Sequence, residues 1–121
     1  MSTILLVTDS DRVIDSVHAA LSNPGTTVID ERDPEVAAAV AYAEGVDAVV
    51  VDMQVGSMGA VAVAHAVRNS AADGSPIPVT ILLDRDADAF LAGRSGATNW
   101  LLKPASAADL RNAVTPQEKR P

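Results

Sequence analysis

The sequence predicts an α/β fold: a single doubly wound sheet of five parallel strands in the order 2-1-3-4-5, covered by helices on both faces. Three observations carry this prediction. Short runs of β-branched and aliphatic residues, such as Ala48-Val49-Val50-Val51, have no polar alternation, which suits strands buried on both faces of a parallel sheet. Five such runs alternate with five segments of helical periodicity, the arrangement of repeated βαβ units. A chain of 121 residues fills one such domain and is too short for two. Right-handed crossovers leave few strand orders, and 2-1-3-4-5 brings the carboxyl ends of strands one, three and five to one crevice.

The elements follow in order. Ile4-Leu5-Leu6-Val7 is the first strand, and a helix over residues 12–21 presents Val13, Val17, Ala20 and Leu21 as one stripe. Asn23-Pro24-Gly25 ends it, and residues 26–29 form a short second strand. The second helix has Asp33 as N-cap, Pro34 at its first position and Gly45 just past its end, with Val36, Val40 and Ala43 on its inner face. Residues 48–52 are the third strand, Val55-Gly56-Ser57 the loop after it, and residues 58–68 a helix. A polar turn over 71–75 leads to a fourth strand at 78–83, a short helix at 86–92 and a fifth strand at 98–102. Ser106-Ala-Ala-Asp109 has the capping-box spacing and opens a last helix to about Val114. Residues 1–114 are therefore expected to form one domain, and 115–121, with two prolines, a short flexible tail.

Composition narrows the function. Hydrophobic residues make up 48% of the chain and aromatic residues only 2%, so the core is built from Ala, Val, Leu and Ile. A formal net charge of −7 disfavours nucleic acid and anionic membrane as partners and is compatible with a divalent cation. There is no cysteine for a disulfide, a zinc thiolate or a thiol nucleophile. No apolar stretch is long enough to span a bilayer, and no signal-peptide pattern precedes the first strand, so the expected location is cytoplasmic. His18 and His65 fall within helical patterns and are given no role.

The chemistry gathers at strand ends. The first strand runs into Thr8-Asp9-Ser10-Asp11, the third closes on Asp52, and the fifth runs into Lys103-Pro104. Lys103 is one of only two lysines in the chain. Two carboxylates close together repel unless a cation sits between them, and Mg²⁺ takes one or two carboxylates plus waters and phosphate oxygens. A carboxylate can also act as nucleophile and form an aspartyl phosphate, while a lysine neutralises phosphoryl oxygens. Asp9, Asp52 and Lys103 together thus make sense as a phosphoryl-transfer site. Asp11 is expected to cap the first helix.

These residues resemble the receiver domain of bacterial two-component response regulators, the CheY-like fold. The matching pieces are Leu6-Val7-Thr8-Asp9, Val50-Val51-Asp52-Met53-Gln54 with Met58, Pro78, and Gly96-Ala97 before Trp100-Leu101-Leu102-Lys103-Pro104. The resemblance covers residues 3–114; each motif alone is weak and the ordered set is specific. It implies a phosphoacceptor at Asp52, and Mg²⁺ held by Asp9, Asp52 and the backbone carbonyl of Gln54. It further implies a phosphate-binding Lys103 and a cis bond between Lys103 and Pro104. The wording around Asp52 and after Leu83 looks like stand-alone receivers of actinobacteria. By the same resemblance the chain is no turnover enzyme: it accepts phosphate from a histidine kinase or phosphotransfer protein and signals to a downstream protein, with homodimer formation open.

Three departures from that family's pattern stand out. Thr8 replaces the first acid of the usual pair, so one carboxylate is missing unless Asp11 swings back. At about 6 Å and an effective dielectric of ~20 a lost unit charge is worth on the order of 3 kcal/mol before solvation, so weaker Mg²⁺ binding is expected. Counting from Pro78, Leu83 stands where a switch Thr or Ser is usual, and it has no hydroxyl to offer. Gly56 and Gly59-Ala60 replace the usual Pro and Asp-Gly. With Leu83 in place, and with Asp84 expected to point outward and cap the fourth helix, the conformational response through residues 83–100 is predicted to be muted and to fade toward Trp100, the family's aromatic on the fifth strand.

Three other readings compete. Thr8 and Leu83 fit an atypical receiver that binds proteins independently of phosphorylation. Asp9-Ser10-Asp11-Arg12-Val13 fits the nucleophile motif of haloacid-dehalogenase-type phosphatases, with Asp9 phosphorylated and Asp11 as acid/base, but that leaves Asp52 without a task, and nothing acidic at the spacing of that family's later metal motif follows Lys103 except Asp109. A flavin module would need more aromatic rings than one Trp, one Tyr and one Phe.

Overall fold

A computed structural model of the chain describes residues 2–53, 59–70, 77–94 and 97–114. The expected Val55-Gly56-Ser57 loop, the helix start at Met58, the polar turn 71–75, Gly96 and the tail 115–121 lie outside these residues, and so does Gln54. Among the described residues the order is β1 (Ser2–Val7), α1 (Asp11–Leu21), β2 (Thr26–Glu31), α2 (Ala37–Ala43), β3 (Ala48–Asp52), α3 (Ala60–Asn69), β4 (Val79–Leu83), α4 (Ala89–Arg94), β5 (Asn99–Leu102) and α5 (Ala107–Val114). Every pairing in the sheet is parallel, and the strand order is β2-β1-β3-β4-β5, as the sequence predicts.

Strand alternation divides the core in two. Side chains of successive strand residues point to opposite faces. Leu5, Val7, Val49, Val51, Ile81 and Leu83 therefore pack on one face, with Ala37 and Ala41 of α2, Val63 and Val67 of α3 and Ala92 of α4. Ile4, Leu6, Ala48, Val50 and Leu82 pack on the other, against Val13, Val17 and Leu21 of α1 and Leu110 and Val114 of α5. β3 and β4 are buried along their whole length, which is why their sequences carry no polar alternation.

Helix ends follow the local chemistry with three corrections. Ser10, not Asp11, caps α1, its hydroxyl accepting from Val13 N at 3.3 Å. Its short hydroxyl reaches that amide from an extended backbone, while Asp11 is already in the first helical turn. Asp33 caps a 3₁₀ turn over Pro34–Val36 rather than α2 itself. That tighter turn changes the phase of the following helix. Pro34, Ala37 and Ala41 are buried, Val36 and Ala43 are exposed, and only Val40 of the expected inner face packs on the core. Gly45, with φ of +61°, ends this segment as expected, a conformation that favours glycine. Ser106 opens α5, its hydroxyl accepting from Asp109 N at 3.0 Å. No helix among the described residues is long and apolar enough to cross a membrane.

Candidate functional site

The alternation that sorts the core also builds the site. On β1, Ile4 and Leu6 face α1 and α5, so Thr8 is next on that face. Val50 sets the same phase for Asp52, Leu82 for Asp84, and Leu101 for Lys103. Four adjacent strands thus deliver Thr8, Asp52, Asp84 and Lys103 to one side of the sheet's carboxyl edge. Asp52, Asp84 and Lys103 line a cavity of about 760 Å³ between α1 and α5, together with Asp9, Arg12 and Leu110. The crevice lies where open α/β sheets bind their ligands.

Asp52 is the centre of this arrangement and is only 1% exposed. Its Oδ1 accepts from Lys103 Nζ at 2.5 Å and its Oδ2 from the Thr8 hydroxyl at 2.9 Å. A buried carboxylate is tolerated only with such partners. Thr8, fully buried, accepts in turn from Ser10 N at 3.1 Å, which fixes its hydroxyl. Lys103 is half-buried and shared, its ammonium also donating to Asp84 Oδ1 at 3.0 Å. Burial pulls the pKa of Lys103 down, but hydrogen bonds to Asp52 and Asp84, reinforced by their charges, outweigh it, and the net direction is upward. The Lys103–Pro104 peptide is cis, as the resemblance implies.

Sequence reasoning brought Asp9, Asp52 and Lys103 to one crevice, and all three line it. Asp9 is exposed at its rim. Asp11 does not swing back: it is exposed and ion-pairs with Arg32, whose guanidinium also donates to the Asp9 carbonyl at 3.2 Å. An Asp9–Asp11 nucleophile and acid/base pair is thereby broken up, because only Asp9 reaches the cavity. Leu83 packs into the core face opposite Asp52 and is 2% exposed. Trp100, by contrast, is 41% exposed at the far edge of the sheet.

Asp84 was expected to point outward and cap the fourth helix, and it does neither. The 3₁₀ turn over Asp86–Asp88 that precedes α4 follows Arg85, with no side-chain cap, and Asp84 faces Lys103. Its phase is the physical reason: two residues after Leu82, it shares the face of Asp52. That parity was legible in the sequence and is the signal that would have found it.

An all-oxygen pair, Asp9 and Asp52, suits a hard cation that takes one or two carboxylates and completes its shell with water and phosphate oxygens. Among the described residues no group of three His, Cys, Asp or Glu side chains could hold a metal by itself.

No protein-family model and no curated protein matches the chain. Solved structures match it along nearly its whole length, among them CheY-like receiver domains of two-component response regulators and of a sensor histidine kinase. The receiver domain of NarL from Mycobacterium tuberculosis superposes with a TM-score of 0.79 at 26% identity, covering 93% of this chain and 92% of that one. The Vibrio cholerae chemotaxis protein CheY4 does so with a TM-score of 0.79 at 25% identity, over 93% and 94%. The receiver domain of the Pseudomonas aeruginosa sensor kinase PA1611, with magnesium coordinated in its active-site cleft, gives 0.76 at 23% identity over 93% of each chain.

Proposed function

We propose that this chain is a receiver that accepts a phosphoryl group on Asp52. The observation that carries the reading is a buried carboxylate at the end of β3, held by Lys103 and open to a cavity that Asp9 also lines. A carboxylate oxygen of Asp52 attacks the phosphorus of a phosphohistidine, the new P–O bond forms as the P–N bond breaks, and the imidazole leaves with a proton from solvent. Lys103 neutralises charge on the transferred group, and the Thr8 hydroxyl keeps the carboxylate oriented. Mg²⁺ would be held by Asp9 and Asp52, together with Gln54 by resemblance, and when bound it supplies charge neutralisation between carboxylates and phosphoryl oxygens. The magnesium in the cleft of the PA1611 receiver supports that assignment. Phosphate then comes from a histidine kinase or phosphotransfer protein, output is a contact with another protein, and the chain turns over no external substrate.

A second reading, a receiver fold that binds its partner without phosphorylation, draws on Thr8 in place of an acid and on Leu83 in the core. Incubation with acetyl phosphate and Mg²⁺ followed by intact-mass measurement separates the two. The first reading expects one added phosphoryl group on the wild type and none on Asp52→Asn. No addition on either protein favours the second.

A further inference from the structure

Lys103 serves two carboxylates with one ammonium, at 2.5 Å from Asp52 and 3.0 Å from Asp84. The first is part of the sheet and is buried; the second follows the last residue of β4 and is about one-third exposed. Asp52 is therefore fixed, while Asp84 sits where the chain leaves the sheet for the turn that leads into α4. The neighbouring cation makes its hydrogen bonds elsewhere: Arg85 donates through Nε and a terminal nitrogen to the buried Asp88, closing the turn on itself, and acts on Asp84 only through its charge. The carboxylate of Asp84 is tethered to the site through Lys103.

We propose that Asp84 is the switch and gating residue of this site, a counter-carboxylate that competes with the phosphorylated Asp52 for Lys103 and is expelled from the cavity by it. This rests on the receiver reading above. Phosphorylation replaces the single charge of Asp52 with nearly two and extends it into the cavity that Asp84 lines. The ammonium follows the larger charge, and Asp84, of like sign and close by, loses its partner and is repelled. Because Asp84 leads through Arg85 into the turn at 86–88 and on to α4, its departure moves that segment without any hydroxyl at position 83. The differential interaction that a two-state switch requires is here a repulsion made in one state and a salt bridge made in the other. Asp84 also opposes entry of an anionic phosphodonor in the resting state, so it slows loading as well as reporting it.

Asp84→Asn keeps the shape and removes the charge; Asp84→Glu keeps the charge. With acetyl phosphate and Mg²⁺, followed by intact mass, Asp84→Asn is expected to label at Asp52 about tenfold faster than wild type, and Asp84→Glu to return toward the wild-type rate. In the unphosphorylated protein the amide resonances of residues 84–94 in Asp84→Asn should lie near the positions that wild type reaches only with beryllofluoride. Equal labelling rates, with those resonances unchanged by the substitution, would overturn the role of Asp84 and leave the receiver reading intact. Absence of label on wild type and Asp84→Asn alike would overturn both.

Discussion

The Thr8 hydroxyl donates to Asp52 Oδ2 across 2.9 Å, joining residues 44 apart in sequence at the carboxyl edge of neighbouring strands. A neutral donor thus occupies the place where a second carboxylate would press against Asp52. The site is less acidic than an Asp-Asp arrangement, and the Thr8 hydroxyl itself orients Asp52.

Thr8→Val preserves the shape of a fully buried side chain and deletes that donor. A hydrogen bond to a charged group is worth about 1.5–3 kcal/mol, so urea unfolding should show a loss of that size. Thr8→Asp should instead lower stability without metal and recover it as Mg²⁺ is added, with a larger melting-temperature shift than wild type shows. Equal Mg²⁺ dependence in the two proteins would count against this account.

Lys103 makes stability depend on pH in the alkaline range. Its pKa is raised in the folded state, so the stabilisation it contributes is complete below the unfolded value of about 10.4 and is lost as pH climbs through the higher folded value. Lys103→Met should cost roughly 2–3 kcal/mol at neutral pH, less than for a fully buried pair because Lys103 itself is partly solvated. The gap between wild type and variant should be constant through neutral pH and narrow above about pH 10.5. Chemical denaturation across that range reads it directly.

Leu83→Thr tests the correction at β4. The side chain is 2% exposed within the core face opposite Asp52, so the substitution leaves a cavity and buries a hydroxyl. A loss of about 2–4 kcal/mol is expected in urea. A neutral effect would show that position 83 belongs to the site after all.

Much of this was legible in the sequence, and the reasons differ by element. The run Ala48–Asp52 is bare hydrophobic up to one acid, which located β3 and Asp52 together. The stripe Val13, Val17, Ala20, Leu21 is buried as its spacing implied. The second helix was misphased because periodicity says nothing about a 3₁₀ first turn. Asp84 is hidden for another reason: counting from Pro78 lands on Leu83, whereas side-chain direction depends on parity. The muted response expected of Leu83 assumed an outward Asp84. With Asp84 on Lys103, the connection to α4 has its own electrostatic link to the site.

Gly93→Ala probes the edge where Trp100 lies. A Cβ at position 93 would sit 3.4 Å from Trp100 Cη2, ordinary contact, and Gly93 is not among the glycines with positive φ. Since alanine favours helix over glycine, a gain of about 0.5–1 kcal/mol is expected, with a changed Trp100 emission from the added contact. A loss of stability would contradict this packing of α4 on β5.

The most direct test of the central claim is to locate the acyl phosphate. Wild-type protein is incubated with acetyl phosphate and Mg²⁺, reduced with borohydride, which converts a phosphorylated aspartate to homoserine, and sequenced by tandem mass spectrometry. Homoserine at position 52, absent when donor is omitted, is the predicted result. Homoserine at position 9, or at no position, would contradict it.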